Sequence, residues 1–298
     1  MTQLIQAIAN FSDGTRPEIV AGLKKIAENG KNHTLMGSTA ETDYNRSGFY
    51  LLGQADSILD TVFDMAAYAV EHIDMTKQKG LHPRMGSGDV IALVPVKGVT
   101  MEECIAYSEK LGQRIGQDLG LPVYLFGESA KTKERRSLSY IRKGEFEGFA
   151  EKIKKPEWKP DFGPDNIHPT AGVTAIGARQ AMISLNVNLS TQDRRIAEKI
   201  TQSIREANGG LVGLKAIALH LDDKKGFQIS TTIEDYTRLP FYRVLEMIKV
   251  EARAYGVSVV DTEVYGIVPA QVMIESAAYY LQAHSFNSEK QILENYLL

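Results

Sequence analysis

Cysteine is almost missing from this chain: one residue in 298, Cys104. An internal disulfide and a cysteine-built zinc site are therefore excluded. Cys104 sits in Val99-Thr100-Met101-Glu102-Glu103-Cys104-Ile105-Ala106, which reads as the first turns of a helix with the thiol on its apolar side, a buried and inert place. A surplus of either charge is missing too, since 34 Lys and Arg face 37 Asp and Glu. That balance argues against nucleic acid as the main partner, although a local basic pocket could still hold a small anion. No apolar run approaches the ~20 residues needed to span a bilayer. Met1-Thr2-Gln3-Leu4-Ile5 lacks the positive segment and apolar core of a signal peptide, so a cytoplasmic location is expected. The six histidines include no pair at metal-site spacing, and no required metal is expected. There is no phosphate-binding glycine loop, serine-centred elbow or nucleophilic cysteine.

What is present is a regular alternation of elements. Gln3–Ala9 reads as a strand, and Asn10-Phe11-Ser12-Asp13-Gly14 as a turn. Thr15 and Glu18 have capping-box spacing ahead of a helix carrying Ile19, Leu23 and Ile26. Strands at His33–Met36 and Ser47–Leu52, a helix from Asp56 to Met75 and a strand at Val90–Val96 complete the order βαββαβ. A helix from Thr100 to Leu119 and a strand at Pro122–Phe126 extend this half. Then follows a basic stretch (Lys131, Lys133, Arg135, Arg136, Lys152, Lys154, Lys155, Lys159) interleaved with Tyr140, Phe146, Phe149, Trp158 and Phe162. It reads either as a docked excursion or as a solvated basic face.

The second half repeats the order. It has a strand at Ala181–Leu189, a helix capped by Ser190, and strands at Leu214–Leu221 and Gly226–Thr232 joined by a turn at Asp222-Asp223-Lys224-Lys225. A helix with Pro240 in its first turns, a strand at Val257–Val264 and a helix at Pro269–Ala283 follow. The expected class is α+β, with two ferredoxin-like (βαββαβ) subdomains at residues 1–180 and 181–298.

One stretch concentrates chemistry: Lys79-Gly80-Leu81-His82-Pro83-Arg84-Met85-Gly86-Ser87-Gly88-Asp89. Its glycines permit tight backbone paths and Pro83 stiffens the loop. A histidine held there titrates near neutrality and can both give and take a proton. A second loop, Asp161 through Gly172, holds Gly163, Pro164, Asp165, Asn166, Ile167, His168, Pro169, Thr170 and Ala171 at the junction of the halves. Its donors, acceptors and glycines suit a ligand, and would equally suit a linker.

These motifs resemble a family. Asn10-Phe11-Ser12-Asp13-Gly14, Asn45-Arg46, His82-Pro83-Arg84-Met85-Gly86 with Asp89, Pro122 through Gly127, Arg135-Arg136, Ala150 through Gly163 and Gly177-Ala178-Arg179 are similar to the glutamate formimidoyltransferases along essentially the whole chain. The resemblance implies a tetrahydrofolate-binding groove between the subdomains, tetrahydrofolate as co-substrate, and a homodimer. It implies His82 as catalytic acid/base and Gly163–Gly172 as part of the folate site. It further implies a stand-alone form in which any cyclodeaminase acting on the product is a separate protein. Arg46 and Arg84 are the expected partners of amino-acid carboxylates, with Asp89 orienting His82 or meeting the pterin edge. Asn10 and Thr39 join the binding set. Two positions depart from the family pattern: Ala9 stands where a proline commonly precedes Asn10, and Thr39 stands where an aspartate is usual. Glu41 and Asp43 lie nearby. The donor therefore stays open between formiminoglutamate, formiminoglycine and a formyl compound, and a non-catalytic folate-binding regulatory module is the rival class.

Overall fold

A computed structural model describes residues 3–221 and 226–296. The turn expected at Asp222–Lys225 lies outside the described residues. The chain divides into two compact units between Arg179 and Gln180.

In the first unit, β1 (Leu4–Phe11), α1 (Pro17–Asn29), β2 (His33–Glu41), β3 (Arg46–Gly53), α2 (Ala55–His72) and β4 (Gly88–Lys97) form an antiparallel ferredoxin-like sheet in the order β2-β3-β1-β4. After α3 (Met101–Asp118) come β5 (Val123–Gly127), α4 (Leu138–Arg142), α5 (Glu145–Lys152) and β6 (Thr174–Ala178). Strand β6 pairs in parallel with both β4 and β5, making six strands in all. Sequence pattern gave no sign of β6: its five residues, Thr-Ala-Ile-Gly-Ala, are too small and short to show a period.

Burial follows the pleat. Ile5, Ala7, Ala9 and Phe11 alternate inward beneath α1 and α2, with Leu23, Ile58, Val62 and Met65 against them. Strand β4 is covered on both faces: Ile91 and Leu93 meet the helices, while Val90 and Ala92 meet the excursion after β5. Double burial explains why Val90–Val94 is a continuous apolar run rather than an alternation. The basic stretch is thus a docked excursion, its weight carried by Tyr124, Phe149 and Trp158. The Lys152 ammonium lies 3.7 Å from the Trp158 ring and caps α4 by donating to the carbonyls of Ile141 and Lys143. Burial pulls its pKa down to about 8.

The second unit contains β7 (Ile183–Leu189), α6 (Arg194–Ile204), β8 (Leu214–His220), β9 (Phe227–Ile233), α7 (Phe241–Ala254), β10 (Val259–Tyr265) and α8 (Ala270–Tyr280). Its sheet order, β10-β7-β9-β8, is again ferredoxin-like. Val187, Ile200, Ile229, Val244 and Ile248 centre its core.

Two caps differ from expectation. The N-cap of α1 is Arg16, and no capping box forms. Asp13 accepts the backbone N–H groups of Thr15 and Arg16, and Thr15 turns its hydroxyl to Asn45. Asp193 caps α6, because Ser190 is engaged with Ser258. At α6 the aspartate takes a first-turn N–H group, whereas Asp13 shapes the turn that leads into α1.

Replacing Phe149 with alanine should destabilise the first unit by about 3–5 kcal/mol. Urea unfolding checks this; a change under 1 kcal/mol would mean that the excursion is not part of the core.

Candidate functional site

Several loops of the first unit converge at the end of the sheet where β1 ends and β4 begins. Ser12 donates its backbone N–H to Ser87 and its hydroxyl to the Gly86 carbonyl, at 2.9 and 2.7 Å. Asn45, with φ 48°, accepts from the Gly14 N–H and donates to the Lys79 carbonyl. The Leu81 N–H donates to Asp43. Ser87 N–H reaches the Ala171 carbonyl at 2.9 Å, and Val173 N–H reaches Met85 at 3.1 Å. The His82 loop and the end of the second loop are thus stitched together. Gly172 is required there: it has φ 74°, and a Cβ would lie 2.3 Å from the Met85 carbonyl oxygen.

His82 lies half-buried on this platform, edge-on to Tyr44. Its Nδ1 is 2.7 Å from the Pro83 carbonyl oxygen. A carbonyl only accepts, so Nδ1 carries the proton and Nε2 keeps its lone pair. Burial first, then the Arg46 charge, pulls the pKa below the ordinary 6.5, and Arg142 adds to this. The Pro83 carbonyl and Asp89 pull the other way and lose. At neutral pH the ring is a neutral base.

Asp89 is wholly buried. One carboxylate oxygen accepts from Arg46 at 2.7 Å and from Arg142 at 2.5 Å; the other accepts the Met85 N–H at 2.9 Å. Burial alone would raise its pKa, but Arg142 and Arg46 outweigh that and hold it below the usual carboxylate range. With both oxygens so engaged, Asp89 acts on His82 through charge and through the arginines it fixes. Arg142, on α4, is the member that sequence reasoning missed. It lies 53 residues away from Asp89 in an undistinguished basic run, and no local spacing signals it.

Arg84 is also buried, but its fork is committed. It donates to Gln78 at 2.8 Å, to Glu145 at 2.8 Å and to Glu147 at 2.6 Å. These pairs fasten the His82 loop to the start of α5. An open cavity of about 420 Å³ beside them is lined by Lys79, Gly80, Arg84, Gly144, Glu145 and Glu147. Its two acids are paired with Arg84, and Lys79 is its other base.

Asn10, Gly48 and Thr39 occupy one cross-strand row. A Cβ on Gly48 would lie 3.1 Å from the Thr39 hydroxyl and 3.3 Å from the Asn10 carboxamide oxygen, so both polar groups line the same face. Glu41 stands opposite Arg46 across β2 and β3.

In the second loop, Gly163, Asp165, Asn166, Pro169 and Thr170 are exposed, Pro164, Ile167 and His168 half-buried, and Ala171 and Gly172 buried. His168 accepts the Ala171 N–H on Nδ1 at 2.9 Å, which closes the loop end. Elsewhere, His33 is held by Ser57 and the Ala27 carbonyl, and His72 stacks on Tyr68. Cys104 is buried, which with Glu103 pushes its thiol up to about 12. Among the described residues no cluster of three metal-ligating groups occurs.

Residues 4–179 match the family described as "Formiminotransferase domain, N-terminal subdomain", and residues 184–295 match "Formiminotransferase domain". The chain is 44% identical over 298 residues to a glutamate formimidoyltransferase of Streptococcus pyogenes serotype M1, covering 100% of both. It is 38% identical to a glutamate formimidoyltransferase of Thermoplasma acidophilum, covering 98% of this chain and 96% of that one. It is 36% identical to a formimidoyltransferase-cyclodeaminase of Mus musculus, covering 94% of this chain and 53% of the relative.

NMR titration of His82 should give a midpoint below 6.5, rising in Arg46→Gln as a positive neighbour is removed. A midpoint above 6.5 in the unaltered protein, or no rise in the variant, would contradict the electrostatics described.

Proposed function

The chain belongs to the formiminotransferase family, and from that membership we propose its reaction. It moves the formimino group of N-formimino-L-glutamate to N5 of tetrahydrofolate, releasing glutamate and 5-formimidoyltetrahydrofolate. His82 carries the proton. The observation behind that role is the fixed imidazole, with Nδ1–H tethered to the Pro83 carbonyl and Nε2 bare.

Tetrahydrofolate, as co-substrate, supplies N5, to which the formimino carbon is bonded as its bond to the amino-acid nitrogen breaks. One proton must travel from the accepting to the departing nitrogen. Nε2 of His82 takes it and then delivers it, and the Pro83 tether keeps the ring from turning between the two acts. A pKa below 6.5 leaves the ring free to accept at neutral pH and ready to give the proton up. Such transfer typically contributes ~10²–10⁴-fold in rate. Asp165, Asn166 and Thr170 stand exposed on the second loop, and their donors and acceptors suit the polar edges of a pterin. Residues Gly163–Gly172, with Asn10 and Thr39, make up the proposed binding set, and Arg46 meets a carboxylate. No metal is needed for this exchange. The division at Arg179–Gln180 is taken as the domain boundary, and the protein as a cytoplasmic homodimer; among the described residues no helix is long and apolar enough to cross a membrane. The mouse relative's name joins the transferase to a cyclodeaminase, which supports a cyclodeaminase activity as the consumer of the product here.

Thr39 favours a second reading. An exposed hydroxyl where an aspartate is usual alters what can meet the donor's amino end, so formiminoglycine or a formyl compound stands as the alternative donor.

Steady-state assays with tetrahydrofolate and each donor decide. Turnover with formiminoglutamate, reduced ~10²–10⁴-fold in His82→Ala, is expected. Turnover only with formiminoglycine would move the donor. Folate binding without product, unchanged in His82→Ala, would make the protein a regulatory module instead.

A further inference from the structure

Four arginines of the first unit are largely withdrawn from solvent, and they spend their donors very differently. Arg84 donates to Gln78, Glu145 and Glu147. Arg135 donates to Asp161 and to the carbonyls of Glu157 and Lys159 while lying over Tyr124 and Trp158. Arg46 and Arg142 each make a single hydrogen bond, both to the same oxygen of Asp89. Their side chains are only 12% and 15% exposed, and Nε of Arg142 is buried with no partner. A guanidinium has five N–H donors, so most of this pair's capacity is unspent.

The charge does not close either. Two cations share one carboxylate, leaving one positive charge over. Glu145 is within electrostatic reach of Arg142, but its carboxylate is bonded to Arg84. Buried charges are ordinarily paired or coordinated. Asp89 cannot move to do more, because its other oxygen is fixed by the Met85 N–H.

We propose that Arg142 and Arg46, locked side by side by Asp89, form the receptor for a substrate carboxylate. The proposal rests on the transfer reaction above. It adds α4 of the excursion to the binding machinery and names the chemistry that it reads. Planar forks match a carboxylate, and an ammonium at the same place does not. Both arginine charges are felt by His82, so the carboxylate docks beside the imidazole. Either the donor amino acid or the glutamyl tail of folate has the required group.

Arg142→Lys keeps the charge and removes the fork. Calorimetric titration with L-glutamate and with 5-formyltetrahydrofolate, beside steady-state kinetics, reads the effect. The expected result is a ~10–100-fold weaker Kd and higher KM for one of the two ligands, with kcat changed less than ~3-fold. Loss on glutamate assigns the clamp to the amino acid, and loss on the folate assigns it to the tail. Unchanged affinity for both overturns the proposal. If the unaltered protein binds these ligands through Arg142 but catalyses no transfer, the clamp stands and the reaction falls. Should Arg142→Lys not fold, ligands with amidated carboxylates are titrated into the unaltered protein. Equal affinity of acid and amide at every carboxylate then overturns the clamp.

Discussion

A single buried carboxylate organises the first unit's site. Asp89 ties the loop before β4 to itself through Met85, ties β3 through Arg46, and ties α4 through Arg142. Removing one partner of such a buried pair leaves an uncompensated charge, typically at a cost of about 3–5 kcal/mol. The network therefore holds three segments in register, and its surplus positive charge makes the surroundings of His82 hostile to imidazolium. Burial lowers the ring's pKa most, and the two arginines that Asp89 fixes add to it.

Backbone bonds complete what the charges begin. The Gly86–Gly172 bridge and the Ser12 contacts fasten the histidine loop to β1 and to the second loop. Arg84 fastens it again to α5. Rigid support of this kind lets a loop histidine serve as a fixed base rather than a mobile surface group.

Much of this was legible in the sequence, for stated reasons. The doubled βαββαβ order was readable because the amphipathic helices carry strong periods and β1 and β4 stand out as apolar runs. Gly80, Gly86 and Gly88 flagged the special loop. Strand β6 was not readable, since pairing with β4 and β5 is what makes Thr174–Ala178 a strand. The Asp13 turn and the Asp193 cap were missed because a local hydroxyl pattern says nothing of where each hydroxyl is engaged. Arg142 was invisible for the same reason as β6: its partner is 53 residues away. The partners of Arg84 on α5 were equally invisible, since Glu145 and Glu147 lie 61 and 63 residues away.

The account turns on His82 being a neutral ring protonated on Nδ1 and bare on Nε2. Nitrogen-15 chemical shifts of that ring, recorded above its titration midpoint, test this most directly. A pyrrole-like Nδ1 and a pyridine-like Nε2 are predicted. The reversed pattern, with the proton on Nε2, would contradict the tether to Pro83 and remove the lone pair from which the proposed proton transfer starts.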